Sequence, residues 1–462
     1  MDERINTSYR EDIHLFSVLT NNTYYAENSW ILKELFAKSL QAKHGQYSAF
    51  DIQFEILREI IAAHSARQSY DRWKGRFANY IKKASKNKAP PERIERAQRR
   101  LQYMRDCATA SKFFLGQLRT IGDGIAWRFL GYDRAVLRLL AEHHYISAPK
   151  LGPGLYAEVD ECAKLAAQGQ PFLLNSITNF LRFGDITVHD RATDTFKLVE
   201  VKAGKSQTPR NKRQAEQLAL AQEGLHKRFH SVFPDTSITM IKSEKPLLTY
   251  AKVLEKAMAE AQQEKECASA RVFGDYLSFG VFHTRRIINL SEKDVRQIQE
   301  DIIGRCYRIC KSKSDVLLPI WCTNIMPALH FARPLAPYTI FPIAPALRFA
   351  LMTGEFLLSI QLNISGLGRW LGKRGWVTRP ISLPAKIPTD QTTQYLPVLG
   401  IKRNNNPIGV ELPLDIIAMA AMELWMPDSI ERTAEAIIDH RPLSSNTAYT
   451  VNFPNVGRCA FD

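Results

Sequence analysis

Asp185, Glu200 and Lys202 are side chains whose types and spacing suit the hydrolysis of a phosphodiester bond. Two carboxylates that face each other repel, so their pairing makes physical sense mainly with a divalent cation between them. Hard oxygen ligands favour Mg²⁺ or Mn²⁺. Lys202 lies two residues beyond Glu200 and so points to the same side of a strand, where its ammonium can orient a water or offset charge on a phosphate. The pattern predicts a phosphodiesterase site with Asp185 and Glu200 as metal ligands.

The two acids meet only if the chain between them forms a β-hairpin. Residues 189–196 are rich in turn formers, and the segments on either side have strand composition. A symmetric hairpin places Asp185 opposite Glu200, with their Cβ atoms roughly 4.5–5.5 Å apart. Ile186 then lies opposite Val199 on the other face, which turns inward.

A solvated hairpin is the structural alternative, because Asp, Thr, Glu and Lys on the wet face of a hairpin are ordinary in α/β proteins. Of the 47 acidic residues, only Glu200 begins an acid-x-Lys pattern, and it stands at the end of a plausible strand. This position favours the catalytic interpretation.

The hairpin resembles the signature of the PD-(D/E)XK, or restriction-endonuclease-like, nucleases. The matching segments are Phe183-Gly184-Asp185 and Val199-Glu200-Val201-Lys202, in which Gly184 replaces the family's nominal proline. The resemblance implies an α-β-β-β-α-β core, Mg²⁺-dependent cleavage of DNA, and Asp185, Glu200 and Lys202 as the catalytic set.

Periodicity alone predicts the same order of elements. Residues 118–142 have near-helical spacing that Gly131 should break or bend, and residues 171–183 suit a strand. After the hairpin, residues 211–229 have helical composition and residues 237–241 suit a short closing strand. The expected fold class is α/β: a restriction-endonuclease-like core with a helical N-terminal region and a mixed α+β C-terminal region.

Members of this family often carry an acid on the first core helix. Asp123 is the first candidate for that position, with Glu142, Glu158 and Glu161 behind it. A helix N-cap beside Gly122 is an equally good interpretation of Asp123.

Further candidates lie after the hairpin. Gln214 and Gln217 are one helical turn apart. The family resemblance implies that a glutamine here can lie near the active site, which makes Gln214 a catalytic candidate, although a solvated polar helix face explains both residues as well. Five basic residues near the acids favour a polyanionic substrate and are expected to contact phosphate: Arg182, Lys205, Arg210, Lys212 and Arg213.

The formal net charge of +15 and the pI near 9.4 suit a nucleic-acid partner. Between Arg67 and Asp106 there are thirteen Lys or Arg and four Asp or Glu. The segment should form two helices joined by a lysine-rich turn, and it contains the aromatic residues Trp73, Phe77, Tyr80 and Tyr103. These aromatic side chains could stack on a nucleic acid, or they could face a core; the sequence leaves both interpretations open.

Composition divides the 462 residues into three regions. These are a basic helical region over 1–110, the nuclease core over 111–245, and an α+β region of unknown role over 246–462. In the last region, residues 249–266 are expected to form an exposed spacer helix. Residues 364–373 lack the glycine spacing of a phosphate-binding loop and are interpreted as a loop that packs or contacts a partner.

Seven cysteines without paired spacing indicate a reducing compartment, and the charged N-terminus is not typical of a signal peptide. The longer uncharged runs are too short or too interrupted to span a membrane. These features predict a cytoplasmic protein with no membrane partner.

The leading hypothesis is a Mg²⁺- or Mn²⁺-dependent DNA endonuclease. The family resemblance alone suggests defence against phage or foreign DNA, and a protein partner or activator is left open. The alternatives are a DNA-binding or scaffold subunit that keeps the nuclease fold without activity, and a toxin-like effector nuclease that acts on RNA.

Overall fold

The structure, a computed structural model, describes residues 17–42, 47–141, 152–181, 183–201, 209–227, 229–233, 236–242, 246–263, 267–312, 314–322, 336–381, 397–404, 409–439 and 447–452. These residues form a mixed α/β protein with a helical N-terminal region and several small sheets. The chain divides into two compact units. The first contains 1–126, 145–179 and 184–206, and the second contains 127–144, 180–183 and 207–462.

Three helices lead the first unit: α1 (Thr23–Gln41), α2 (Tyr47–Lys86) and α3 (Pro91–Phe129). Asn22 caps α1, because its side chain accepts a hydrogen bond from the backbone N–H of Tyr25. The predicted pair of helices in the basic segment is confirmed by α2 and α3, although both are far longer than that segment.

The turn between α2 and α3 is tightly specified. Lys88 has a positive φ of 52°, and the backbone N–H of Ala89 donates to the carbonyl of Ala84 at 2.9 Å. This pair of features ends α2 as a Schellman motif does. Pro91 then begins α3 with the φ that a first helical residue needs.

The inner part of α3 packs closely against the 3₁₀ turn Asn175–Ile177. A Cβ atom added to Gly122 would lie 2.1 Å from the carbonyl oxygen of Ile177, so only glycine allows this approach. The predicted break near Gly131 is confirmed, since α3 ends at Phe129 and Gly131 has a φ of 63°. A short helix, α4 (Arg134–Ala141), follows the break.

The site hairpin belongs to a three-stranded antiparallel sheet in the order β1-β2-β3. Helix α5 (Pro153–Ala167) precedes the strands β1 (Phe172–Leu174), β2 (Ile186–Asp190) and β3 (Thr195–Val199). The predicted strand over 171–183 is therefore mostly wrong. Only β1 is extended, because the chain turns into the 3₁₀ segment directly after it.

Helix α2 anchors the edge of this sheet. The buried Gln53 side chain accepts a hydrogen bond from the backbone N–H of Leu174 at 2.8 Å and donates to the carbonyl of Phe172 at 3.1 Å. The ring of Phe172 stacks on Phe50, with centroids 4.8 Å apart. These contacts satisfy backbone groups that an edge strand would otherwise leave unpaired.

The second unit contains α4 and the remaining sheets. A helix, α6 (Pro209–Lys227), confirms the predicted helix after the hairpin, and β5 (Thr236–Lys242) confirms the short strand. An additional strand, β4 (Phe229–Phe233), lies between them and pairs with β5. Strand β5 also pairs in parallel with β13 (Thr447–Asn452).

A four-stranded antiparallel sheet in the order β6-β7-β9-β8 forms the largest part of this unit. Its central strands, β7 and β9, are buried along their length, including the polar residues Ser278, Ser359 and Gln361. The remaining elements of the unit are α7 (Ala251–Ala261), β6 (Ala268–Phe273), β7 (Leu277–His283), α8 (Thr284–Ile287), α9 (Glu292–Cys306), β8 (Leu317–Cys322), α10 (Pro345–Thr353), β9 (Phe356–Asn363), α11 (Ile364–Gly372), β10 (Trp376–Pro380), β11 (Pro397–Arg403), β12 (Gly409–Pro413), α12 (Leu414–Met422) and α13 (Pro427–Asp439).

Two expectations for this unit are wrong. The predicted spacer over 249–266 is a packed helix, because α7 buries Leu254 and Met258 on one face. The predicted loop over 364–373 is the helix α11, capped by the Asn363 side chain. Arg369 on α11 is engaged by Asp275 and Asp315.

Within the described part of the chain, no helix is long and apolar enough to cross a membrane.

The close contact at Gly122 generates a stability prediction. We expect Gly122→Ala to destabilise the protein by about 3 kcal/mol, because the new methyl group overlaps the carbonyl of Ile177 and forces backbone movement. Gly116→Ala is the matched control on the same helix, since nothing lies within 4 Å of its added Cβ. The control should stabilise by about 0.5–1 kcal/mol. Urea unfolding measures both, and equal effects of the two substitutions would contradict the contact.

Candidate active site

The hairpin has the predicted register. Ile186 pairs with Val199, and the turn falls in residues 191–194. The backbone N–H of Asp185 donates to the carbonyl of Val199 at 2.8 Å. Asp185 and Glu200 thus stand next to each other at the open end of the hairpin, each directly outside its strand.

Buried hydrogen bonds hold the backbone before Asp185. The backbone N–H of Asn175 donates to the carbonyl of Asp185 at 3.0 Å, and its side-chain amide donates to the carbonyl of Gly184 at 3.2 Å. The Asn175 side-chain oxygen accepts from the Thr187 hydroxyl at 2.9 Å. Gly184 has a φ of 68°, a conformation that a proline in its place could not adopt. Asn175 therefore fixes the backbone at Gly184 and Asp185, and with it the direction in which the Asp185 side chain points.

The side chain of Asp185 is oriented as well. Its Oδ2 accepts a hydrogen bond from the backbone N–H of Val201 at 2.7 Å, across the open end of the hairpin. Burial raises the pKa of Asp185, and the bond from Val201 works in the opposite direction. One carboxylate oxygen is thus fixed by the backbone, which orients the other.

Helix α5 adds a third carboxylate, Glu158. Its pKa is raised to about 7, first by burial and then by the negative charges of Asp185 and Glu200. Cys162, one turn further along α5, has its thiol pKa raised by burial and then by Glu158, Glu161 and Asp185. The two shifts place this face of α5 within the field of the hairpin acids.

Asp123, the first candidate for the helix acid, makes different contacts. It is buried in the interior of α3, so the N-cap interpretation is wrong. Its Oδ1 accepts from the backbone N–H of Asn179 at 2.6 Å, and its Oδ2 accepts from the Asn179 side-chain amide at 2.8 Å. These bonds tie α3 to the chain that follows the 3₁₀ turn. A catalytic role for Asp123 stays a prediction, and Glu158 is the helix acid whose charge interacts with the hairpin acids.

Several predicted site residues lie outside the described residues: Lys202, Arg182, Lys205 and Glu142. Four others belong to α6: Arg210, Lys212, Arg213 and Gln214. The structure describes the backbone of these four residues but not their side chains. Their roles stay predictions. The described part of the site is therefore Asp185, Glu200 and Glu158.

The sequence also contains a signal for Glu158, although Asp123 is the first candidate for the helix acid. Leu155, Cys162 and Leu165 are the buried residues of α5, at intervals of seven and three residues that define one helix face. Glu158 falls three residues after Leu155 and four before Cys162, so it stands on that apolar face. An acid on the buried face of a short helix is costly unless a partner or function requires it.

The donor chemistry of the site suits a hard divalent cation, because all three side chains offer carboxylate oxygens. Among the residues that the structure describes, no group of three or more His, Cys, Asp or Glu side chains is arranged to hold one metal ion. Mg²⁺ usually keeps several waters and takes only one or two protein carboxylates, so two acids at the end of a hairpin are sufficient ligands in kind.

Comparison of the chain with protein-family models, with curated proteins and with solved structures finds no match.

The raised pKa of Glu158 predicts a pH-dependent stability. Its folded pKa of about 7 lies above its ordinary value of 4.5, so folding favours the neutral acid. The stability that Glu158 contributes is complete below about pH 4.5 and is lost as the pH rises through about 7. Because the site is partly open to solvent, which screens charge, we expect Glu158→Gln to stabilise the metal-free protein at pH 8 by only about 1 kcal/mol.

Urea unfolding in EDTA at pH 5 and pH 8 measures this effect. Glu161→Gln is the control, because Glu161 lies on the same helix and pairs with Lys164 at 3.0 Å. A gain in stability that is the same at both pH values, or that Glu161→Gln reproduces, would refute the assignment of the buried charge to Glu158.

Proposed function

We propose that the protein is a metal-dependent endonuclease that hydrolyses phosphodiester bonds of DNA, with its active site at the open end of the β2–β3 hairpin. The observation that carries the proposal is the hairpin register, which ends at Ile186 opposite Val199 and so leaves Asp185 and Glu200 at adjacent strand ends, with Glu158 interacting electrostatically with both. Two carboxylates at adjacent strand ends, with a third whose pKa their charges raise, are typical of a site that binds a cation.

A restriction-endonuclease-like core is part of the proposal. The chain order α5-β1-β2-β3-α6 followed by β5 agrees with α-β-β-β-α-β. Strand β4 is an addition to that order, and in the described residues β5 pairs with β4 and β13. The support for this core is therefore the order of elements together with the hairpin signature.

Each residue has a proposed task. Asp185 and Glu200 would hold Mg²⁺ or Mn²⁺, which when bound supplies an activated water and stabilises charge on the leaving oxygen. The backbone bond from Val201 keeps one oxygen of Asp185 occupied, so that the other is available to a ligand. Glu158, with a pKa of about 7, can accept or release a proton near neutral pH. Lys202 would position the attacking water.

The proposal includes the setting that the sequence indicates. The net charge of +15 supports a nucleic-acid substrate in general, and the hairpin signature supports DNA. Arg182, Lys205, Arg210, Lys212 and Arg213 would contact phosphate. We place the protein in the cytoplasm, where defence against foreign DNA is a role consistent with such an activity.

A cleavage panel tests this function. The substrates are plasmid, linear duplex, single-stranded DNA and RNA, each with Mg²⁺ or Mn²⁺. We expect metal-dependent cutting of DNA that falls at least 100-fold in Asp185→Ala and in Lys202→Ala, because each removes charge stabilisation at the reacting phosphate. Asp190→Asn is the control, since Asp190 lies on the same hairpin but pairs with Lys197 at 2.9 Å.

The outcomes of the panel differ in meaning. Cutting that survives both substitutions sinks the site assignment. Cutting of RNA alone favours the toxin-like nuclease, and DNA binding without cutting by the wild-type protein favours the non-catalytic subunit.

Metal binding gives a test that needs no substrate. We expect Mn²⁺ to raise the thermal unfolding midpoint of the wild-type protein at pH 8, because a ligand that binds only the folded state stabilises it by mass action. Asp185→Asn and Glu200→Gln should abolish most of the rise, whereas Asp190→Asn should keep it. Differential scanning fluorimetry with and without Mn²⁺ measures the shift. An undiminished rise in Asp185→Asn would place the ion elsewhere.

A further inference from the structure

The segment 67–106, which we call the basic hairpin, is formed by the outer halves of α2 and α3. Tyr70 on α2 lies beside Tyr103 and Cys107 on α3. The pKa of Tyr70 is raised first by burial and then by these two groups. The two helices therefore run back along each other from the turn at Lys88.

Very little of the basic hairpin is buried. Between residues 71 and 106 the buried side chains are Ala84, Ala97 and Leu101. The other apolar side chains that the two helices turn toward each other, such as Ile81 and Ile94, are half-buried. Such a narrow seam covers one side of each helix and leaves the rest of its circumference in solvent.

The four acids of the segment neutralise few of its thirteen bases. Asp71 pairs with Lys74 and lies 3.8 Å from Arg67, and Glu95 lies 3.7 Å from Arg99. These ion pairs are local and lie within single helices. Because the net charge of +9 already counts all four acids, the basic hairpin keeps that excess of positive charge.

The uncompensated charge is ordered into a line on α2. Arg72, Arg76, Lys83 and Lys86 recur at intervals of three, four and seven residues, which puts them on one face of the helix. All four are exposed, and none forms an ion pair with a described residue. Asn79 stands in the gap between the second and third member and is exposed as well. We call these four cations the α2 stripe.

The α2 stripe lies opposite the seam. The less exposed residues Tyr70, Phe77, Ile81 and Ala84 mark the side of α2 that faces α3. On a helical projection the stripe is centred roughly 145° away from them, at 100° per residue. It is thus the outermost face of the basic hairpin, open along its whole length.

Like charges at these spacings disfavour a helix by a few tenths of a kcal/mol per pair. Arg72 and Arg76 are such a pair, and Lys83 and Lys86 are another. Arg72 donates hydrogen bonds to the Gln68 carbonyl and the Ser69 hydroxyl, and Arg76 lies over the Trp73 ring, but none of these contacts supplies a negative charge that would offset the repulsion. The line of cations is therefore better explained by a partner that carries a line of negative charge.

Exposed aromatic rings flank the stripe. Trp73 and Tyr80 are 47% exposed, and Arg76 lies over the ring of Trp73, 4.8 Å from its centroid. The sequence left open whether these rings face a core; the structure answers that Trp73, Tyr80 and Tyr103 do not. Rings among cations suit a surface that binds sugar, base and phosphate together better than one that binds acidic protein.

We propose that the basic hairpin is a DNA-binding arm whose α2 stripe follows the phosphate backbone of a duplex. The stripe extends over fourteen residue steps, or about 21 Å of helix, which matches the axial rise of roughly six phosphates of one DNA strand. The arm grips DNA independently of sequence, because its cations meet phosphate and no base-reading element is needed. The choice of DNA over RNA rests on the proposed function, and the choice of a phosphate backbone as the ligand rests on the stripe itself.

Duplex binding by the full-length protein tests the arm. The probe is a fluorescent 30-base-pair DNA duplex, with EDTA present so that binding is measured without cleavage. The test variant combines Arg72→Gln, Arg76→Gln, Lys83→Gln and Lys86→Gln. We expect its affinity at 100 mM KCl to fall at least tenfold, and the slope of log K against log salt to become shallower by about 3 to 4, as expected for the loss of four phosphate contacts.

A matched control removes the same charge elsewhere. It combines Lys252→Gln, Lys293→Gln, Arg305→Gln and Arg432→Gln, all in the second unit. The control should keep the wild-type salt slope. Circular dichroism should show that both variants are as helical as the wild type, since glutamine is a good helix former.

Four results would overturn the arm. These are no duplex binding by the wild-type protein, an unchanged salt slope in the test variant, an equal loss in the control, and a stripe-dependent binding to phosphatidylserine vesicles instead of DNA. A matched RNA duplex bound more tightly than DNA through the stripe would overturn the choice of DNA.

Asp185→Ala separates the arm from the active site. We expect the stripe substitutions to weaken duplex binding in the Asp185→Ala background as much as in the wild type, because Asp185 lies on the β2–β3 hairpin and not on the arm. If the wild-type protein binds duplex through the stripe but cleaves no substrate, the result would support the arm and count against the nuclease. If the wild-type protein cleaves DNA but binds it independently of the stripe, the result would support the nuclease and count against the arm.

Discussion

Helix α3 lies directly against the 3₁₀ turn Asn175–Ile177 because Gly122 has no side chain, and the geometry of the candidate site depends on this contact. The turn supplies Asn175, whose hydrogen bonds hold the backbone at Gly184 and Asp185. One residue after Gly122 on the same helix, Asp123 holds the exit of the same turn through Asn179. A residue with a side chain at 122 would separate the helix from the turn. The direction of Asp185 would then no longer be determined by packing.

The charged acids of the site destabilise the fold, whereas this packing stabilises it. Burial raises the pKa of both Asp185 and Glu158, and the charges of Asp185 and Glu200 raise that of Glu158 further. An apolar residue on the buried face of α5 would remove this electrostatic cost. Retaining three carboxylates where repulsion destabilises the fold is the kind of compromise that functional sites make.

The basic hairpin has the opposite relation between charge and packing. Its seam is narrow, with Ala84, Ala97 and Leu101 as the buried side chains, and its cations gain little from contacts within the protein. The rigid turn at Lys88 and Pro91 keeps two long helices together where the core does not reach. Binding would relieve both kinds of repulsion. A cation would relieve the repulsion between carboxylates in the site, and a polyanion would relieve the repulsion between cations on the basic hairpin.

The sequence by itself determined the features that depend on neighbours in the chain. Alternation and turn formers specify the β2–β3 register, so Ile186 opposite Val199 could be predicted, and with it the proximity of Asp185 and Glu200. Gly131 ends α3 as expected, and the charge of the basic hairpin is a property of composition. These features follow from short-range sterics and periodicity, which a local stretch of sequence contains.

Only the tertiary structure decided which distant groups meet and which are covered. It brought Glu158 into the electrostatic field of the hairpin acids and Asp123 into contact with Asn179, and it buried α7 where composition suggested an exposed spacer. It also left Trp73 and Tyr80 in solvent. Burial and long-range approach depend on how helices and strands from separate parts of the chain pack together. Local propensity carries no information on that packing, because the same amphipathic helix can lie against a core or against water.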